Sequence, residues 1–373
     1  MMCANTRILR VTQMAGERLP RDPGSPGRRR DFRCHTKGNQ GVRVGYEVDF
    51  FPVLAGGAAI AVRWGAPGNY RLLVYDGGTA ASGRRLVAHI EEHCLTSHVD
   101  YVVSSNPARQ HSEGLGVVLE KLNVGELWMH RPWAQSERVW KKMGAAHRLE
   151  QLALAQGIPV HEPFAGALIG PFTVLSPRRQ WYVDTLLPAF GTRLPRTAAL
   201  TLADVARWVR LAGAGVGGRW DFEPLPRTAA TSAEDESSAV LYSEFEGRGV
   251  LLTGNAGVRA LEGACTFAER LGIDLPASLR LMQLPSQGRP DNLSSRVLDR
   301  IAGERQPRDQ RRYTKSAFIS VGRDALSFDC KIVTDALRRR GVLSFATQGM
   351  QLHHAHDMPE RGWHPAGPLG AGA

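Results

Sequence analysis

Tyr101-Val-Val-Ser-Ser-Asn-Pro-Ala-Arg-Gln-His-Ser-Glu-Gly-Leu115 is the stretch on which the fold turns. The apolar, β-branched start reads as a buried strand over 99–104. A polar loop follows. Gly114 then opens an amphipathic helix, with Leu115, Val118, Leu119 and Leu122 at helical spacing. The unit is strand, loop, helix, with a concentration of polar side chains at the strand's end.

The same rhythm runs outward in both directions. Upstream, 47–53, 58–64 and 70–75 read as strands, the last ending in Asp76-Gly77-Gly78. Ser82 is expected to cap a helix reaching about Cys94, with Leu86, Val87 and Ile90 on one face. Downstream, 124–130 is a strand, 135–156 a helix, 168–175 a strand, and 178–190 and 202–211 are helical. After a Gly-, Pro- and Thr-rich stretch, 238–245 and 250–253 form a hairpin around Glu246-Gly247-Arg248-Gly249. A helix to about Leu271, a strand over 279–284, a helix over 294–301, a strand over 316–321, a helix over 331–340 and a last strand over 342–345 complete the pattern. Strands alternating with helices in this way predict an α/β layered sandwich.

Composition sets limits. A chain of 373 residues can bury a large core. No run of eighteen apolar residues is present, so no membrane span is expected. Five scattered cysteines without a CxxC pair fit free thiols in a reducing cytoplasm. The net charge of +11 is uneven. The first forty residues hold nine Lys/Arg against three Asp/Glu. We read 1–43 as a disordered basic leader; an Arg-rich transit peptide or a start codon assigned too early would look the same. The rest of the chain is too weakly basic to argue for a nucleic-acid surface. The ordered domain is expected over 44–352. Its halves, 44–212 and 238–352, are joined by a linker over 213–237, and a flexible tail runs over 353–373.

Taken together these elements resemble the metallo-β-lactamase-fold hydrolases. The signature loop of that family reads Thr-His-x-(His or Asp)-x-Asp-His before a Gly-Leu helix start. Asp76-Gly77-Gly78 resembles its Asp-Gly-Gly, Leu251-Leu-Thr-Gly-Asn255 its Leu-Thr-Gly-Asp, and Gln283-Leu-Pro-Ser-Gln-Gly288 stands where relatives carry Pro-His-His-Gly. Ala317-Phe-Ile-Ser-Val-Gly322 is similar to the strand that precedes a His-Pro. Leu127-Trp-Met-His-Arg-Pro-Trp133 is similar to a run in bacterial members related to the hydrolase domain of competence DNA-uptake proteins. The resemblance covers 44–347 and implies a four-layer αββα metallo-β-lactamase-like sandwich.

In active relatives two metal ions, usually zinc, activate a water held between the sheet edges. Slot by slot, the resemblance places Asn106 and Ala108 where the first two loop ligands stand, and Gln110 where the Asp stands. Only His111 survives. Asn255 replaces the bridging Asp, Ser286 and Gln287 the His pair, and the final His-Pro falls near Ser327-Phe328. Asp76 is implied to brace the strand-to-turn junction. Losing the metals along with their carboxylates avoids packing like charges together, which would cost several kcal/mol.

The expected function is therefore that of a pseudoenzyme with no resident metal, binding or scaffolding beside an unidentified protein partner. A divergent metal-dependent hydrolase is the enzyme alternative, with zinc held by His111, Glu113, Asp76 or the tail histidines. That tail run, His353-His354-Ala355-His356-Asp357, has the composition of a metal cluster but reads as solvated. A nucleic-acid-binding protein working through the basic leader is the third reading.

Overall fold

The computed structural model describes residues 8–11, 44–53, 57–135, 143–192, 223, 225, 231–323 and 328–369. Its strands are β1 (Ile8–Val11), β2 (Gly45–Phe50), β3 (Ala59–Ala66), β4 (Asn69–Gly77), β5 (His98–Ser104), β6 (Asn123–Met129), β7 (Val160–His161), β8 (Leu168–Ile169), β9 (Phe172–Ser176), β10 (Val240–Phe245), β11 (Arg248–Leu252), β12 (Leu279–Gln283), β13 (Lys315–Ile319), β14 (Val342–Ala346), β15 (Gln351–His356) and β16 (His364–Pro365). The longer helices are α1 (Ala80–His89), α2 (Arg109–Lys121), α3 (Gly144–Ala155), α4 (Val258–Arg270), α5 (Ser295–Ala302) and α6 (Phe328–Arg338).

Two sheets form, in the orders β16-β1-β15-β2-β3-β4-β5-β6-β7 and β14-β13-β12-β11-β10-β9-β8. Side-chain alternation decides how they stack. On β2, Tyr46, Val48 and Phe50 point into a core shared with Phe172, Leu241, Phe318 and Phe345 of the second sheet. The outer face of the first sheet packs Ala61, Val74 and Val102 against Leu86, Leu115 and Leu149 of α1, α2 and α3. The outer face of the second packs Leu251, Met282 and Ala317 against Leu261, Leu298 and Val333 of α4, α5 and α6. Period-2 strands with both faces apolar, covered by helices with one apolar stripe, give the four-layer αββα sandwich expected from the sequence. No helix among the described residues is long and apolar enough to cross a membrane.

Several local expectations are corrected. Thr79, not Ser82, caps α1; its hydroxyl accepts from the Ser82 N–H. Helix α2 starts at Arg109, before Gly114. That glycine instead lets α2 lie on the β4 turn, because a Cβ there would stand 1.9 Å from the Gly77 carbonyl oxygen. The strand expected over 168–175 is a hairpin, β8 and β9, paired antiparallel.

The larger corrections concern both ends. The expected tail is structured over 353–369; 370–373 lie outside the described residues. Gln351–His356 is an interior strand, antiparallel to β2 and parallel to β1, and β16 adds to the far edge. Ile8–Val11 forms a strand inside the expected leader, because its backbone completes the ladder along β15; the rest of 1–43 lies outside the described residues. Most of the linker over 213–237 and the helix expected over 202–211 also lie outside them. Residues 231–237 are described, and they form an ordered wall with a short helix, Ala233–Glu236.

His353 and His354 are both buried, on opposite faces of β15. His354 enters the core between the sheets, within 3.1 Å of the Tyr46 hydroxyl. His353 turns outward beneath α1, where its Nδ1 lies 2.8 Å from Asp49. There the Asp49 carboxylate also meets His89 at 2.9 Å and accepts from Gln351 at 3.1 Å, while Glu47 pairs with Arg63 and Arg361. The histidine run is thus split among separate partners, which is why it forms no single solvated cluster.

Candidate functional site

The C-terminal ends of β4 and β5 in one sheet face the loops after β11 and β12 in the other. Backbone bonds fix the approach: Ala239 N–H donates to the Ser105 carbonyl at 2.9 Å, and Ser286 N–H to the Gly254 carbonyl at 3.2 Å. Gly254 has φ +55, and a Cβ there would lie 2.5 Å from the Ser105 hydroxyl, so the two edges touch at a position only glycine can fill.

Asp76 is the anchor of this junction. Fully buried, its carboxylate accepts from Ser105 N–H and Ser105 Oγ, both at 2.7 Å, and meets His111 Nδ1 at 2.7 Å. With Asp76 Oδ2 as the acceptor, the contact selects the His111 tautomer that carries its proton on Nδ1. His111 Nε2 is left buried with no hydrogen-bond partner. Asp76 itself has φ +56, which an aspartate tolerates better than a bulky residue.

The amide positions are consumed by structure. Asn106 Nδ2 donates to the Glu234 carbonyl at 2.7 Å and to Ser238 Oγ at 3.2 Å, and its Oδ1 accepts from Ala108 N–H at 2.9 Å. Ser238 Oγ in turn accepts from Asn255 N–H at 3.2 Å. The Asn255 carbonyl accepts from Asn292. The Asp235 carboxyl joins this cluster. Burial raises its pKa, opposed by hydrogen bonds from Ser232 and Asn255 and by the nearby His111.

The seven expected positions are therefore not all brought together. Asn106, His111 and Asn255 are linked through Ser238 and Asp235, and Ser286 meets the cluster by its backbone. Ala108 is the N-cap of α2 with no side-chain bond to offer. Gln287, at φ +60, turns away to donate to the Ser320 carbonyl at 2.9 Å. Gln110 sits half-buried in the first turn of α2, and no hydrogen bond joins its side chain to the other positions among the described residues. Of the remaining residues named as alternative ligands, Glu113 pairs with Arg109 on the helix surface at 2.8 Å.

Sequence reading missed Glu234, Asp235 and Ser238, which were assigned to a linker or to a strand start. A signal was present: Ser232-Ala-Glu-Asp235 has the Ser-x-x-acid spacing of a helix start, and Ser232 Oγ does accept from Asp235 N–H at 3.0 Å.

The donor set does not fit the metal pair that the fold resemblance implies. It offers one unpartnered imidazole nitrogen and two carboxyls, Asp76 and Asp235, already hydrogen-bonded, where a dinuclear zinc site needs several imidazoles and carboxylates converging. Among the described residues, the group of three close enough to share an ion is Glu246, His356 and Asp357. It lies at the other end of β11 from Asn255.

One consequence can be measured. Asp76→Asn keeps the shape but leaves an amide N–H facing donors. It is expected to cost about 1–3 kcal/mol, the penalty for a buried mismatch. Urea unfolding of the wild type and variant checks this, and a change under ~0.5 kcal/mol would deny Asp76 its place as anchor.

No protein-family model matches the chain, and no curated protein sequence matches it. Solved structures similar to it include the metallo-β-lactamase fold protein YhfI from Bacillus subtilis, at 11% identity over 82% of this chain and 98% of that one, with a TM-score of 0.39. A metallo-β-lactamase from Hirschia baltica is similar at 10% identity over 63% of this chain and 84% of that one, with a TM-score of 0.28. A mutant of the CmlA β-hydroxylase is similar at 11% identity over 82% of this chain and 53% of that one, with a TM-score of 0.38.

Proposed function

We propose that this chain is a metallo-β-lactamase-like protein whose site between the sheets has become a closed hydrogen-bonded network. In this reading it binds or scaffolds a protein partner and does not run metal-dependent hydrolysis. The observation that carries the reading is the side chain of Asn106, in the slot of a first ligand. All its polar atoms are spent on Glu234, Ser238 and Ala108, so a metal there would have to break the wall that holds the two halves together.

The order of Asp76-Gly77-Gly78, the 105–115 loop, Leu251–Asn255 and Gln283–Gly288 along a four-layer sandwich supports the superfamily. The Leu127–Trp133 run supports the subgroup related to competence DNA-uptake proteins. Cys94, Cys265 and Cys330 form no disulfide among the described residues, which suits a reducing, cytoplasmic setting.

One observation favours the enzyme alternative: His111 Nε2 is unpartnered, with Asp76 behind it, in the arrangement that orients a metal-binding imidazole. Metal analysis separates the two. Protein purified without added metal, then dialysed against zinc, is expected to hold well under one equivalent at this site. The triple variant Asn106→His, Ala108→His, Gln110→Asp is expected to gain zinc affinity. Stoichiometric zinc in the wild type that is lost on His111→Ala, with hydrolysis abolished by chelators, would overturn the proposal.

A further inference from the structure

A cleft on the outer face of the second sheet, away from the network around His111, is built for an anion. It has a volume of about 380 Å³ and lies between the end of β9 and helix α4. Arg259, Gly263, Thr266 and Arg270 line one side of it, spaced i, i+4, i+7 and i+11 along a single face of α4. Arg178 and Trp181, just beyond β9, line the other. Three arginines therefore line the cleft, and no carboxylate does among the described residues. Arg178 and Arg270 are exposed and make no ion pair among the described residues. Arg259 has only a weak partner, Glu236 at 3.4 Å, and its guanidinium lies 5.8 Å from the centre of the Trp181 ring.

Arginines gathered on one concave surface, two of them without an ion pair among the described residues, repel one another, an arrangement that an anion relieves. Guanidinium forks bind phosphate oxygens in pairs, more tightly than a lysine ammonium would. The half-buried Trp181 lines the cleft beside the charges, packed on the core with the Arg259 guanidinium 5.8 Å from its ring centre, and its indole is the aromatic surface nearest to an incoming planar ring. The volume is at the small-molecule end of ligand sites. We propose that this cleft binds a nucleoside phosphate, with its phosphates on Arg178, Arg259 and Arg270 and its base against Trp181. Gly263 sets the depth: a Cβ there would meet nothing within 4 Å, so a side chain at this helical position would project into open space.

Calorimetric titration of the full chain with ADP, adenosine and inorganic phosphate tests the assignment. ADP is expected to bind, with adenosine and phosphate each at least about tenfold weaker, since each engages half of the site. Gly263→Leu is expected to abolish ADP binding without unfolding, because it improves helix propensity and clashes with no neighbour. Arg270→Glu should weaken it roughly tenfold or more, and Arg296→Glu on the exposed face of α5 should leave it unchanged. No ADP binding by the wild type, or undiminished binding by Gly263→Leu, would overturn the proposal. So would phosphate alone binding as tightly as ADP, which would make this a simple anion site. Preference for a single-stranded oligonucleotide over ADP would overturn it in favour of a polynucleotide groove.

Discussion

Asp49→Ala is expected to lower the unfolding free energy by about 3–5 kcal/mol, the usual consequence of removing one partner from a buried charged network. Asp49 is 2% exposed and holds four neighbours: His89, His353, Gln351 and, at 3.6 Å, Arg361. Burial alone would raise its pKa. The charges and hydrogen bonds of His89 and His353 outweigh that and hold the carboxyl well below the ordinary range. Removing it leaves two buried imidazoles and an amide without their acceptor. It also strips the side-chain link that holds α1 to the β2–β15 ladder. Asp49→Asn retains an acceptor oxygen and should lose less than the alanine variant. Urea titrations at constant m-value measure both. An Asp49→Ala loss below ~1 kcal/mol would mean that the network is incidental to stability.

That network also shows where sequence reading stops. Strands rich in Val, Leu and Ile, such as β4 and β5, declare themselves by composition, and α4 and α5 by spacing. Asp76 at a strand end and His111 in the loop after the next strand were legible too, from their order along the chain, but their meeting at Ser105 was not. β15 was not. Gln-Leu-His-His-Ala-His is too polar to read as an interior strand, and it becomes buriable only because Asp49 and Tyr46, some three hundred residues earlier, supply partners for His353 and His354. The partner of a buried polar group is a tertiary fact, and no local pattern encodes it. The same holds for Asp235: its acidic, serine-rich neighbourhood looks like a solvated linker until Asn106 and Asn255 are brought against it. The cleft beside Trp181 was invisible for a related reason, since its arginines come from two segments about eighty residues apart.

Stability is expected to fall steeply as the solution is acidified from pH 6.5 toward 5, driven by two neutral buried histidines. His130 is packed between Tyr182, stacked at 4.6 Å, and Phe164, with the Ser237 backbone as its polar neighbour. Burial lowers its pKa to about 3. Burial, followed by the charges of His353, Arg248 and His356, does the same to His354. In the unfolded chain both titrate near 6.5. Because the folded values are depressed, the stabilisation is complete above pH 6.5 and is lost as the pH falls through the window down to about 3, where the unfolded state takes up protons that the folded state refuses. The slope climbs toward about 1.36 kcal/mol per pH unit as the unfolded histidines fill with protons, so each removes roughly 1.5 kcal/mol between pH 6.5 and 5, or about 3 kcal/mol for the pair. Against a typical total of about 5–15 kcal/mol this is a large fraction. Glu47 and Asp235, whose carboxyls burial holds up, work in the opposite direction and offset part of the loss. His130→Phe isolates one contribution: phenylalanine keeps the stack on Tyr182 and needs no polar partner, so stability at pH 7.5 should be retained. The slope of unfolding free energy against pH between 6.5 and 5 should then drop by about one proton's worth. If the slope is unchanged in the variant, His130 is protonated in the folded state, and the apolar cage drawn around it by Phe164 and Tyr182 must admit water.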